Sequence, residues 1–213
     1  MTGLAALNRL ALDLLFPRRC VGCQKEGLWI CSACSDSLVV QGEERQVADR
    51  SVTWLFDFDT PLVREILHNL KYNGVRELAE ELGRVVSGLR LPGISQAVLI
   101  PVPLSKARLK TRGYNQAEEL ALVLGRLFDI PVWNGCLKRE GSTRTQVGRD
   151  AQERQLVQKG FAWTGSVPEA YAGRRWIVVD DLITTGSTLA ACFEALRPHA
   201  VSGLSGLTVA SKR

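Results

Sequence analysis

The chain has 213 residues, long for one small domain and short for two large ones, so one full domain with a small appendage is expected. Hydrophobic residues make up 46% and charged residues 23%, which excludes a wholly disordered or collagen-like chain. The mean hydropathy is 0.00 with no apolar run near the ~20 residues of a membrane span, and the net charge of +5 is compatible with anionic ligands without selecting one.

Leu4, Leu7, Ala11, Leu14 and Leu15 recur at helical spacing and predict a short amphipathic helix. Arg9 and Asp13 interrupt it, no basic residue precedes it and no small-residue cleavage site follows, so it does not read as a secretory leader and a cytoplasmic location is expected. Four of the six cysteines come next, Cys20, Cys23, Cys31 and Cys34, as C-V-G-C and C-S-A-C separated by seven residues. Each C-x-x-C pair places two thiolates on one side of a tight turn, and two pairs complete a tetrahedral site suited to structural zinc. Two disulfides are the reading for an oxidising compartment. A redox C-x-x-C needs a thioredoxin-like βαβ context that is missing here, and an iron–sulfur centre on the four cysteines stays open. Ser35 to Arg50 is polar and reads as a connector, which sets the expected organisation as 1–50 for the N-terminal helix and cysteine module and 51–213 for the main domain.

Val52, Trp54, Phe56 and Phe58 alternate with smaller or polar residues, as in a strand with one buried face. Pro61 opens a helix carrying Leu62, Ile66, Leu67 and Leu70. Asn73-Gly74 ends it, and a second helix runs from about Val75 to Val86. Ala97 to Pro103 (A-V-L-I-P-V-P) is a continuous apolar run, expected for a strand buried on both faces. A basic loop follows, then a helix over about Asn115 to Phe128 and a candidate strand over Val132 to Leu137. Gly141 to Asp150 is polar and reads as a mobile loop. Cys136 is undecided, whereas Cys192, in an apolar helical stretch, reads as a buried thiol. Trp176 to Val179 is a buried strand, Ser187 to Leu196 a helix and Leu204 to Ala210 a last strand. Strands alternating with helices predict an α/β fold with a mainly parallel sheet.

The most specific string is W-I-V-V-D-D-L-I-T-T-G-S-T-L, Trp176 to Leu189. A buried strand ends in Asp180 and Asp181, and a short turn leads into a helix, at the place where open α/β sheets bind ligands. Backbone N–H groups and hydroxyls of Thr184, Thr185, Ser187 and Thr188 can converge on a phosphate at the helix N-terminus, with Gly186 allowing close approach. The two carboxylates are placed to accept hydrogen bonds from a sugar diol. Phosphate next to diol describes a ribose 5-phosphate. The plain alternative is a strand–turn–helix with Asp and Thr as caps. It is not a Walker A loop, since no Gly-Lys-Ser/Thr ending is present.

This string resembles the signature of the type I phosphoribosyltransferases. Three further stretches narrow the resemblance to the ComF (GntX-like) competence-protein family: Pro101 to Ala117 (P-V-P-L-S-K-A-R-L-K-T-R-G-Y-N-Q-A), Asp59 to Tyr72 (D-T-P-L-V-R-E-I-L-H-N-L-K-Y) and the four-cysteine module. Together they run from about Cys20 to Leu189. The resemblance implies a type I phosphoribosyltransferase-like parallel sheet flanked by helices, behind a small zinc module. It implies Asp180 and Asp181 as the catalytic pair on the ribose hydroxyls and Thr184 to Thr188 around the 5-phosphate of phosphoribosyl pyrophosphate. It places Leu104, Ser105, Arg108, Arg112, Asn115 and Lys71 on the pyrophosphate or anion side, and Mg²⁺ shared by pyrophosphate and ribose oxygens. Planar guanidinium groups at Arg108 and Arg112 suit bidentate phosphate contacts, whereas Lys106 and Lys110 read equally well as solvated charges. Asn115 and Gln116 either orient groups or cap a helix, and Lys71 is otherwise a partner for a helix C-terminus. Thr143, Gln146, Arg154 and Phe161 continue the family pattern. Val157 stands where the family has Asn. His68 and His199 read as surface or packing residues.

Two classes of function follow. One is a Mg²⁺-dependent phosphoribosyltransferase of unidentified acceptor. The other is a non-catalytic competence factor that binds single-stranded DNA and meets DNA-uptake proteins. The second draws on the stretch Pro101 to Gly160, where eleven basic and six acidic residues leave a net +5, equal to that of the whole chain. Trp133 and Trp163 offer either stacking faces or core packing.

Overall fold

A computed structural model describes residues 17–140 and 160–212. The N-terminal amphipathic segment and Thr143, Gln146, Arg154 and Val157 lie outside the described residues. Five strands form the main sheet: β1 (Glu43–Val47), β2 (Arg50–Asp57), β3 (Ala97–Pro101), β6 (Arg175–Ile183) and β7 (Leu204–Ser211), in the order β1-β2-β7-β6-β3. All neighbours are parallel except the β1–β2 hairpin at one edge. A separate two-stranded sheet pairs β4 (Leu137–Arg139) with β5 (Phe161–Trp163). This is the expected α/β class with a mostly parallel sheet and an N-terminal four-cysteine cluster.

Alternation along the strands divides the core into two layers. Leu99, Ile177, Val179, Leu207 and Val209 face α2 (Pro61–Tyr72), α3 (Glu77–Val85) and α5 (Gln116–Phe128). Val98, Ile100, Trp176, Val178 and Leu204 face α6 (Ser187–Leu196) and the β4–β5 pair. β3 is buried at every position, as its unbroken apolar run predicts for a strand covered on both sides. Trp133 and Trp163 are packing residues: both lie against Trp176 with ring centroids 5.2 and 5.7 Å away, and His199 stacks on Trp163 at 4.5 Å.

Three segments differ from the sequence expectation. The polar connector contains β1, an edge strand closed onto β2 by a two-residue turn in which Ala48 and Asp49 both have positive φ. A charged edge strand shows no apolar alternation, so periodicity does not mark it. The basic loop is α4 (Lys106–Arg112), capped by the Ser105 hydroxyl, which accepts from Arg108 N–H at 3.3 Å. α4 buries none of its residues, so it carries no amphipathic signal. The candidate strand at Val132 reduces to one bridge to Leu99, because Pro131 and the positive-φ Gly135 bracket it and the chain pairs only from Leu137.

The cysteine module, which contains the short helix α1 (Ser32–Asp36), packs into the first core layer through Ile30 and Leu38, with Val21, Trp29 and Cys34 partly buried against it. A Cβ at Gly22 would stand 2.9 Å from both Cys34 Sγ and Leu62 of α2, so only glycine lets the C-V-G-C turn sit this close to the main domain. Among the described residues no helix is long and apolar enough to cross a membrane.

Candidate functional site

Pairing along β6 ends sooner on one side than on the other. β3 accompanies β6 only from Arg175 to Val179, whereas β7 continues to Ile183. The crossing from β2 to β3 and the return from β6 to β7 run in opposite directions across the sheet. A crevice therefore opens at the carboxyl ends of β3 and β6, at the switch point of the topology. Asp180 and Asp181 stand there, facing opposite sides of the strand.

Asp181 shares the side of α2 and α5. Lys71, in the last turn of α2, forms an ion pair with its Oδ2, and Gln116 Nε2 donates to its Oδ1 at 3.2 Å. Gln116 Oε1 in turn accepts from Arg112. Arg112, Gln116, Asp181 and Lys71 thus form one connected chain from α4 to β6. Lys71 is not merely a partner for its own helix terminus. Its ammonium keeps a carboxylate that is 4% exposed paired with a charge.

Asp180 points toward α6. Burial and the adjacent Asp181 charge push its carboxyl well above the usual carboxylate range, opposed by the Asp181 N–H, which donates to Asp180 Oδ1 at 2.9 Å. An Asp with a raised folded-state pKa makes its full contribution to stability below its unfolded pKa and loses it as pH rises through the folded value. Asp180→Asn is therefore expected to melt above the wild type at pH 8, by about 2–4 °C for each kcal/mol relieved. The gap should close toward pH 4. A separation independent of pH in melts from pH 4 to 8 would show that Asp180 does not titrate in this way.

The loop after β6 enters α6 through Gly186 at φ +80°, where a Cβ would also meet Val47 at 2.9 Å. Thr185 Oγ1 accepts from the Ser187 N–H at 3.4 Å and lies 3.2 Å from the Ser187 hydroxyl. Thr184, Gly186, Ser187 and Thr188 line a hollow of about 30 Å³. Its wall shares Asp180, Thr184 and Thr188 with a cavity of about 770 Å³, bounded also by Lys71, Leu104, Arg108, Arg112 and Asp181. Ser105 and Asn115 stand behind this wall. Ser105 caps α4, while Asn115 caps α5 through the Ala117 N–H and donates to the Val102 carbonyl at 3.0 Å. Thr185 lines neither space, and Lys106 and Lys110 are exposed outside the cavity.

Two further residues join the site. Arg139, at the end of β4, lines the cavity, with its guanidinium 5.3 Å from the Phe161 ring centroid. Tyr72, 68% exposed, carries the Arg112 guanidinium 5.5 Å from its ring centroid. The pairing of β4 with β5 sets the place of Arg139, which lines the cavity together with Asp180, and no local pattern in the sequence signals it.

The second centre is the cysteine module. The four Sγ atoms lie within 4.8 Å of one another, with Cys23 and Cys31 Sγ 3.5 Å apart. Sulfurs about 2.3 Å from a tetrahedral zinc stand about 3.8 Å apart. All four cysteines are free, and they converge on one point rather than separating into two bonded pairs. Burial alone would raise the Cys20 thiol, but N–H groups of Cys31, Cys23 and Gly22 bring it down to about 6. Burial and the hydrogen bonding of its S–H toward the three neighbouring sulfurs push Cys34 up to about 12. Four thiolates at this separation repel one another, and a dication at their centre removes that repulsion. The arrangement is compatible with structural zinc. Cys136 and Cys192 are buried thiols.

Part of the chain is 44% identical over 110 residues to competence protein F of Haemophilus influenzae, covering 51% of this chain and 46% of that protein. It is 31% identical over 150 residues to the DNA utilization protein YhgH of Escherichia coli K12, covering 66% and 63%. It is 32% identical over 130 residues to competence protein ComFC of Bacillus subtilis, covering 60% and 50%. The matches thus span about half to under two thirds of these relatives. No family model matches. Among solved structures, a hypoxanthine phosphoribosyltransferase of Trypanosoma cruzi covers 68% of this chain and 67% of its own, with 19% identity and a TM-score of 0.34.

Proposed function

We propose that this chain, a homologue of the competence proteins F and ComFC and of YhgH, binds a phosphoribosyl group in the crevice at Asp180 and Asp181 and serves the use of incoming DNA. The observation that carries this reading is a cavity and an adjoining hollow, with Asp180, Thr184 and Thr188 in their shared wall, which bring three features together. The acid pair suits a diol, the Thr184–Thr188 loop suits a phosphate monoester, and a cationic wall of Lys71, Arg108, Arg112 and Arg139 suits a second anionic group. Phosphoribosyl pyrophosphate has these three parts in this order.

The residues divide the work. Asp181, ion-paired with Lys71, accepts from one ribose hydroxyl. Asp180, whose carboxyl is pushed well above the usual carboxylate range by burial and by the Asp181 charge, faces the other hydroxyl. The guanidinium groups take the charge of the diphosphate, and the link from Arg112 through Gln116 to Asp181 makes the two ends of the ligand sense each other. Magnesium, when bound, supplies charge neutralisation at the diphosphate. Asp181 is engaged by Lys71 and Gln116 and Asp180 accepts the Asp181 N–H, so among the described residues of this crevice both carboxylates already have partners, and the ion would be held chiefly by oxygens of the ligand. We assign zinc to the four cysteines as a closed structural centre.

A second reading rests on α4, whose Lys106, Arg108, Lys110 and Arg112 crowd one short exposed helix at the cavity rim beside the exposed Tyr72. That surface suits the backbone and bases of single-stranded DNA. Calorimetric titration separates the readings. Phosphoribosyl pyrophosphate is expected to bind more tightly than ribose 5-phosphate, with little dependence on oligonucleotide. If a single-stranded oligonucleotide binds with a steep salt dependence while the small ligands do not bind, the second reading replaces the first. Release of pyrophosphate with a nucleobase present would establish turnover.

A further inference from the structure

Strand β1 lies at the edge of the sheet, yet it touches the phosphate loop. Its register on β2, from Glu43↔Trp54 to Val47↔Arg50, puts Arg45 and Val47 on one face. The Arg45 guanidinium donates through Nη2 to the carbonyl of Thr184, the first residue of the loop, 139 positions further along the chain. The two methyls of Val47 lie 2.9 and 3.0 Å from where a Cβ of residue 186 would stand, so the side chain fills the space that Gly186 leaves. Arg45 Nε is buried without a hydrogen-bond partner. That group is retained at a cost in desolvation, as expected where the guanidinium serves one fixed contact. Neither Arg45 nor Val47 lines the cavity or the hollow.

We infer that β1 is a brace for the phosphate loop, with Arg45 and Val47 as positioning residues that hold the Thr185–Thr188 amides ready for a phosphate monoester. The inference rests on the proposed reading of that loop as the ribose 5-phosphate cradle. An unbraced loop of Thr, Gly and Ser samples many conformations, and a ligand must order it on binding. A loop held from outside by one carbonyl contact and one side-chain plug is already ordered, so binding is stronger without any added contact to the ligand. The brace acts on the monoester end alone. The Arg108–Arg112 wall belongs to α4, and neither Arg45 nor Val47 touches it.

The test compares wild type, Arg45→Met, Arg45→Lys and Val47→Ala by hydrogen exchange without ligand and by titration with ribose 5-phosphate and, separately, inorganic pyrophosphate. Met keeps the aliphatic stem and removes the donors. Arg45→Met is expected to speed exchange at the Thr185–Thr188 amides while β6 amides keep their protection. Its affinity for ribose 5-phosphate should fall about five- to tenfold, the effect of one lost hydrogen bond, with pyrophosphate affinity unchanged. Arg45→Lys, which still donates to one carbonyl, should recover part of the loss, and Val47→Ala should loosen the same amides. Unchanged loop exchange in both Arg45→Met and Val47→Ala overturns the brace whatever the ligands do. An equal fall for both ligands also overturns it, because the effect would then not be confined to the loop. A wild type that binds no ribose 5-phosphate overturns the reading of the loop and the positioning role with it, and the exchange arm reports separately whether the contact holds the loop.

Discussion

Stripping the metal proposed for the four-cysteine cluster is expected to lower the melting temperature by about 20 °C or more, since structural zinc centres hold ~10 kcal/mol or more of binding free energy that becomes folding free energy. The loss would not stay local. Ile30 and Leu38 belong to the same core layer as α2 and α3, and Gly22 sits against Leu62. Opening the C-V-G-C and C-S-A-C turns therefore exposes the start of α2, the helix whose last turn carries Lys71 into the site. Cys20→Ser should reproduce the effect of a strong chelator, because Cys20 is fully buried and its sulfur also accepts the Cys31 N–H at 3.4 Å. Plasma mass spectrometry should find about one zinc per chain before treatment. A metal-free protein with oxidised cysteines and an unaltered melt would refute the assignment.

Breaking the Lys71–Asp181 pair from one side is expected to destabilise the fold by about 3 kcal/mol, the lower end of the range for buried pairs because Lys71 keeps 18% of its side chain exposed. Lys71→Met leaves an unpaired carboxylate, and Asp181→Leu leaves an unpaired ammonium together with the amide of Gln116. The double replacement should regain most of the loss, because two apolar side chains no longer require a partner. Ligand binding should behave otherwise. Asp181→Leu and the double variant are both expected to bind ribose 5-phosphate at least about tenfold more weakly, from the loss of a hydrogen bond to a charged acceptor. Urea unfolding and calorimetry on the same four proteins decide the matter. A double variant that recovers both stability and affinity would mean that the pair is structural and that the ligand lies elsewhere.

Much of the architecture was legible from local pattern. A-V-L-I-P reads as a doubly covered strand because an unbroken apolar run leaves it no polar side, and β3 is buried throughout. The W-I-V-V-D-D string reads as the end of a strand at its change from apolar to acidic; that change is where β6 loses β3 as a neighbour, but the strand itself continues beside β7 to Ile183. Four cysteines within fifteen residues could converge without help from the rest of the chain. Pattern failed where burial was slight. β1 and α4 are charged and mostly exposed, so neither the period of 2 nor that of 3.6 was written into them, and their signals were a turn and a capping serine.

The partners within the site were a different matter. In the sequence Lys71 reads either as an anion-binding residue or as a partner for a helix terminus, Gln116 as an orienting group or a cap, and Arg139 as one of the charges of a basic stretch, while Arg45 lies in a segment that reads as a connector. By itself the sequence determined the alternation of strands and helices, the cysteine cluster and the adjacency of the acid pair to the Thr-rich turn, all of which depend on residues close together along the chain. The tertiary structure alone decided that Gln116 meets Asp181 across 65 residues and that Arg45 meets Thr184 across 139. The strand order β1-β2-β7-β6-β3 sets those meetings. Hydrophobic periodicity records which face of an element is buried and leaves open which element lies beside it.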